Sequence, residues 1–229
     1  MYKTELHVHT APASKCAHTE PEDMIEQYIE NGYSTVVITN HMSPTLFDVI
    51  LPHISDYREA ASIYLDDYRR AKKYANGRIN VLCGMELRVN KNMNDYLIYG
   101  VDEQFILNLG NVMNKTIKEL YPIFHQSGAL VFQAHPFRNN MTITAPEYID
   151  GIEAGNFCTT HDSRNDIAAV WAQKFNMLTV YGSDYHSREY MRNAAILTDR
   201  PITCNNELLY ILKTKNFKVT DGQKVFMPY

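Results

Sequence analysis

Short apolar runs that end in a histidine or a carboxylate recur along this chain, and they alternate with segments of helical periodicity. Thr4–Thr10 carries His7 and His9, and Thr35–Thr39 runs into Asn40-His41. Ile79–Cys83 ends in Gly84-Met85-Glu86, and Ala129–Gln133 in Ala134-His135-Pro136. Leu178–Tyr181 leads to Gly182-Ser183-Asp184-Tyr185-His186. Continuous apolar runs suit strands buried on both faces, as in parallel sheets covered by helices. The alternation repeats about seven times without a Pro/Gly-rich linker, which predicts a mostly parallel α/β sheet in one domain, residues 1–229. A closed barrel gathers all its C-terminal strand ends on one face, whereas an open doubly wound sheet gathers only those near its switch point. Convergent polar strand ends, repeated strand after strand, therefore favour a barrel.

The helices are punctuated by local signals. Thr19-Glu20-Pro21-Glu22 reads as a capping box opening a helix that Asn31-Gly32 stops. One long helix is expected from Tyr57 to Tyr74, closed by Asn76-Gly77. Asp95 precedes a short strand, Tyr96–Tyr99, and Thr116-Ile117-Lys118-Glu119 repeats the capping box. Thr144–Glu147 caps a short helix, another spans Asn165–Phe175, and the last lies around Leu208–Leu212 before a polar tail.

Composition narrows the function. Hydrophobic content of 45% with 21% charged residues describes an ordinary globular chain. The net charge of −4, without a Lys/Arg run, gives no footprint for nucleic acid. None of the four cysteines sits in a C-x-x-C pair, so no disulfide framework is expected and a reducing cytoplasm is the default compartment. No signal-peptide pattern opens the sequence and no apolar run reaches membrane-span length, so no membrane partner is expected.

Residues two apart on a strand share a face, so His7 and His9 project together about 6–7 Å apart and can share one metal ion or flank two. Each other strand-end residue has a bland role available. Glu86 can pair with Arg88, His135 can bond to backbone, and Asp184 can cap a turn. Jointly they form a set of N/O ligands without cysteine, which suits zinc, manganese or iron. His53, His125 and His161 fall in a loop, a helix and a polar stretch, and read as structural.

These residues resemble the motifs of the PHP (polymerase and histidinol phosphatase) family, in the family's order from residue 4 to about residue 190. The resemblance implies a distorted (β/α)7 barrel with two or three metal ions at the strand ends, hydrolysing phosphoesters. It implies His7, His9, Glu86 and Asp184 on a first metal. Bridging Glu86, His135 and Asp95 would hold a second, with His41, His186 and the loop residue His18 on a third. Asn40 stands where the family reads aspartate, and Asp95 where it commonly offers histidine. Glu86, Asp184 and His186 are the expected catalytic residues. Arg138, with Arg164, Arg188 and Arg192 as weaker candidates, would bind phosphate bidentately. The expected activity is hydrolysis of a phosphomonoester of a small metabolite or nucleotide. An amidohydrolase-like metal enzyme and a non-catalytic metal-stabilised binding domain are the alternatives.

Overall fold

The computed structural model describes residues 1–229. The first half comprises β1 (Tyr2–Val8), α1 (Pro21–Glu30), β2 (Tyr33–Ile38), β3 (His41–Met42), α2 (Tyr57–Tyr64), α3 (Asp66–Ala75), β4 (Asn80–Cys83), β5 (Met85–Arg88) and β6 (Asp95–Tyr99). The second half adds α4 (Glu103–Asn108), α5 (Ile117–Gln126), β7 (Leu130–Gln133), β8 (Gly151–Asn156), α6 (Asn165–Lys174) and β9 (Leu178–Gly182). It finishes with β10 (Ala194–Thr198), α7 (Asn205–Thr214), β11 (Lys218–Asp221) and β12 (Val225–Phe226).

The strands form a mixed α/β fold with two six-stranded sheets, ordered β12-β11-β10-β1-β2-β4 and β3-β5-β6-β7-β8-β9. They are not one closed ring, as the sequence led us to expect. The chain bends from β4 into β5 through Gly84 and from β2 towards β3 through Asn40, so these strands pass from one sheet to the other. Gly84 N donates to Ile38 O at 2.9 Å and Glu86 N to Asn40 O at 3.1 Å across that bend. On the other side, β1 meets the residues after β9 at one parallel bridge, Val8 to Tyr185. Two hydrogen bonds make it, His9 N to Tyr185 O at 2.9 Å and Tyr185 N to His7 O at 3.0 Å. Elsewhere that edge of β1 is taken: Tyr2, Lys3 and Thr4 pair antiparallel with β10. A strand has two hydrogen-bonding edges, so β10 denies β9 a full ladder with β1.

Two pairings depart from the parallel expectation within the second sheet. β6 is antiparallel to both β5 and β7. Its first residue, Asp95, therefore lies opposite the last residue of β5, Arg88, at the end of the sheet where the other strands finish.

Both strand faces are buried. Leu6, Val37, Leu82, Leu97, Phe132 and Val180 turn to one core, which α7 joins through Leu208 and Leu212. Adjacent residues such as Val36, Ile38, Ile98 and Val131 pack in a second core with the other helices. The Thr116 capping box forms as the sequence indicated. The one at Thr19 does not: Glu20 is the N-cap without a side-chain bond, and Thr19 Oγ1 accepts from Tyr185 Oη at 3.2 Å instead. The expected helix over Tyr57–Tyr74 breaks at Leu65, and the one near Pro146 is only a short turn, Pro146–Tyr148.

Candidate metal centre

Strand ends bring eight of the nine expected ligands together. His7 and His9, at the end of β1, place their Nε2 atoms 3.1 Å apart. Both face Glu86 and Asp184, with contacts of 3.2–3.3 Å. His41 Nδ1 lies 2.8 Å from Glu86 Oε2, and His135 Nε2 lies 3.3 Å from Glu86 Oε1. Each of the trios His7/His9/Glu86, His7/His135/Asp184, His41/Glu86/Asp95 and His9/His41/His186 offers ligand atoms within 4.8 Å of one another. His18 is the exception. Its side chain is exposed, and its backbone N–H donates to His186 O at 2.8 Å.

The backbone is strained where ligands are presented. His135 has φ 29° and Asp184 φ 51°, a region non-glycine residues enter at a cost of about 1–3 kcal/mol. Close packing supports the same end: a Cβ on Gly182 would sit 2.5 Å from His7 Cβ, so only glycine fits beside that ligand.

Residues that carry no strand-end signature orient the ligands. Glu153, fully inside β8, accepts from His7 Nδ1 at 2.8 Å, His135 N at 2.8 Å and Asn156 Nδ2 at 3.0 Å. That bond puts the His7 proton on Nδ1 and leaves Nε2 as a lone pair aimed at Glu86 and Asp184. Glu5 gathers the backbone N–H groups of Leu6, His7 and Ser183 on one oxygen at 2.9–3.0 Å. Burial pushes its carboxyl up to about 7 despite these bonds. Asn40, the departure from the family pattern, is a brace: Oδ1 accepts from Thr10 N at 2.7 Å and Ser14 Oγ at 2.9 Å, while Nδ2 donates to Thr10 Oγ1 at 2.8 Å.

The electrostatics call for positive charge. Burial opposes ionisation of Glu86 and Asp184, yet the surrounding histidines hold both well below the usual carboxylate range. Burial likewise opposes charge on His7 and His41, but the carboxylates raise both well above the ordinary imidazole value. His9 is lowered, by burial and by His41 and His186. Neither oxygen of fully buried Glu86 makes a hydrogen bond, nor do His41 Nδ1 and His135 Nδ1. Buried polar atoms are rarely left so. Imidazole nitrogens converging on a carboxylate whose two oxygens have no hydrogen-bond partner fit metal ions.

The cations differ from expectation. Arg88 does not pair with Glu86; it grips Asp95 bidentately, Nε to Oδ1 at 2.6 Å and Nη2 to Oδ2 at 2.5 Å. Asp95 is thus shared between the His41/Glu86 cluster and an arginine. Arg138 Nη2 approaches the same carboxylate at 3.7 Å and keeps 27% of its side chain exposed. Arg164 instead bonds to Phe137 O and to Asn139 Oδ1, the latter at 2.6 Å, and so fastens the segment after His135. Arg192 lines a shallow cleft with Arg164 and His161, and Arg188 reaches out to Glu30 on α1. His161, expected to be structural, is at the site: its buried, unbonded Nε2 lies 3.8 Å from Asp184 Oδ2. His53 and His125 are exposed and outside it. A cleft of about 280 Å³ opens over the centre between Ala13, Lys15, Cys16, His41, Ser43 and Arg88. The largest cleft, about 730 Å³ between Thr198 and α7, holds none of the ligands.

Comparison with known proteins follows this geometry. Similar solved structures include a candidate metal-dependent phosphoesterase from Bifidobacterium adolescentis (13% identity, 93% of this chain and 96% of that one, TM-score 0.54). PsfC from Pseudomonas syringae is similar at 15% identity over 92% of this chain and 87% of that one, with TM-score 0.62. An amidohydrolase from Chromobacterium violaceum, solved with sulfate and no metal, matches at 14% identity over 99% and 98%, with TM-score 0.56. At these identities the likeness is one of fold. A search of curated proteins gave no match. The PHP domain model matches residues 5–187, from the strand that carries the first two histidines to just past the last, and the chain belongs to that family.

Proposed function

We propose that this PHP-family hydrolase is a metal-dependent phosphomonoesterase acting on a small phosphorylated metabolite or nucleotide. The observation that carries the reading is the buried Glu86 carboxylate, ringed by His7, His9, His41 and His135, with two arginines, Arg88 and Arg138, at its rim. We read the strands from β1 to β9 as a distorted (β/α)7 barrel held open by β10. Two or three divalent ions, drawn from zinc, manganese and iron, would be held by His7, His9, His41, Glu86, Asp95, His135, Asp184 and His186. Bound there, they would supply an activated water and neutralise phosphate charge.

The chain's own groups do the rest. A phosphate monoester is a dianion, and its hydrolysis needs positioning and charge stabilisation more than covalent help. Arg138, held loosely, is free to turn its fork onto the phosphate. Arg88, committed to Asp95, adds charge without leaving its partner. Asp184, His186 and His161 stand together where a leaving oxygen can receive a proton, and Glu153 keeps His7 from rotating.

The test is turnover by the full-length chain of phosphomonoesters, phosphodiesters and amides after chelation and metal add-back. A phosphomonoester should be turned over fastest. Preferred amide cleavage would move the chain to the amidohydrolase reading, and no turnover with ions bound would favour a binding domain.

A further inference from the structure

The loop between β1 and α1 delivers a side chain to the site that the sequence reading passed over. Cys16 Sγ lies 3.1 Å from His186 Nε2. His186 Nδ1 donates to the Asp184 carbonyl at 2.7 Å, so its proton is on Nδ1 and Nε2 faces the sulfur as a lone pair. His41 lines the same cleft as the thiol. One ring nitrogen each from His9, His41 and His186 lies within 4.8 Å of the others, and the sulfur reaches this group through His186.

We propose that Cys16 is the loop ligand of an ion held by His9, His41 and His186, giving a three-nitrogen, one-sulfur site where an all-nitrogen and oxygen set was expected. The proposal rests on the metal-centre reading above and specifies its third position. The loop is built to hold the sulfur there. Ala11 N donates to Thr19 O at 2.9 Å across its neck, and His18 N to His186 O at 2.8 Å. Ala13 N and Thr10 Oγ1 both donate to buried Asp67 Oδ2, at 3.1 and 2.9 Å. Cys16 and His18 are both exposed on the anchored loop, and it is the cysteine whose side chain reaches His186. Around a tetrahedral ion, bonds of about 2.3 Å to sulfur and about 2.0 Å to nitrogen put the two ligand atoms about 3.5 Å apart. The exposed Cys16 side chain needs to move by only a few tenths of an ångström to open that span. A thiolate makes the position soft, so it should prefer zinc, cobalt or iron(II) to manganese.

The experiment loads the chelator-treated, reduced, full-length protein with cobalt(II) and reads both bound metal and thiolate-to-cobalt charge-transfer absorption in the near ultraviolet. The wild type should show the band. Cys16→Ser should lose it along with about one equivalent of cobalt. Cys16→His should keep the cobalt count but not the band, which separates ligation from a folding defect. Cys158→Ser is the control, because Cys158 approaches His161 and Asp184 on the opposite flank; it should keep the band. A band that survives Cys16→Ser, or that disappears with Cys158→Ser, overturns the assignment. Cobalt bound with no thiolate band refutes this proposal alone, whereas failure to bind any cobalt refutes the metal centre with it.

Discussion

Glu153 on β8 and His7 on β1, 146 residues apart in sequence, share a buried hydrogen bond of 2.8 Å. The bond fixes which nitrogen of His7 is free, so Glu153 acts on the centre through another residue. Glu153→Gln leaves one acceptor but turns an amino group either toward His135 N and Asn156 Nδ2, which share Oε2, or toward His7 Nδ1, donors in each case. Metal affinity should fall about 10–100-fold with the fold retained. Competition against a graded chelator, with circular dichroism as the control for folding, measures it; unchanged affinity would remove Glu153 from the centre.

Chelation should destabilise the chain. Ions that bind only the folded state stabilise by mass action, about 2.7 kcal/mol when free metal is 100 times Kd. The melting temperature should drop on adding chelator and recover on metal add-back. Elemental analysis after mild purification should find two or three ions per chain. Fewer than one, with folding intact, would refute the centre.

Asp184→Asn and Glu86→Gln preserve volume and remove charge at the two buried carboxylates. Hydrolysis should fall by orders of magnitude while secondary structure persists. Near-normal turnover in both variants would show that the site lies elsewhere.

Arg138→Lys should raise KM for a phosphomonoester about tenfold or more, because an ammonium cannot reproduce a bidentate contact. Bound metal should be unchanged, since guanidinium is not a ligand. Equal KM values would show that Arg138 does not touch the phosphate.

Asn40→Asp restores the family's residue and should nevertheless weaken this chain. The new carboxylate cannot donate to Thr10 Oγ1, whose own proton goes to Asp67. One buried acceptor is left unsatisfied, at a cost of about 1–3 kcal/mol. Urea unfolding of the metal-free proteins gives the difference, and equal midpoints would contradict the bracing role.

Most of the clustered residues were legible because they sit at or just past the end of a buried strand, a place that apolar patterning marks. Asp95, the first residue of its strand, came instead from the family resemblance, as the residue standing where a histidine is usual. What the pattern does not mark are groups that reach the centre from elsewhere. Glu153 lies inside a strand, Cys16 in an irregular loop and His161 in a polar stretch, and only the tertiary fold brings them in. Arg88 was visible, but its partner depended on the antiparallel register that sets it against Asp95. The C-terminal strands had a local signal that was missed: Gly222-Gln223, with Gly222 at φ 91°, are the central residues of the hairpin turn between β11 and β12. β10 carried no such mark, and it is the strand that takes the edge of β1 and keeps the sheets from closing.

The single bridge between Val8 and Tyr185 ties the start of the chain to a point 177 residues later. Contacts of such sequence separation form late, because the intervening loop must be closed before they repay its entropy. A ribosome-bound chain that has exposed only His7, His9, His41 and Glu86 therefore has no finished ion cage. Metal capture at this centre would wait until the segment through His186 has emerged and zipped against the first strand.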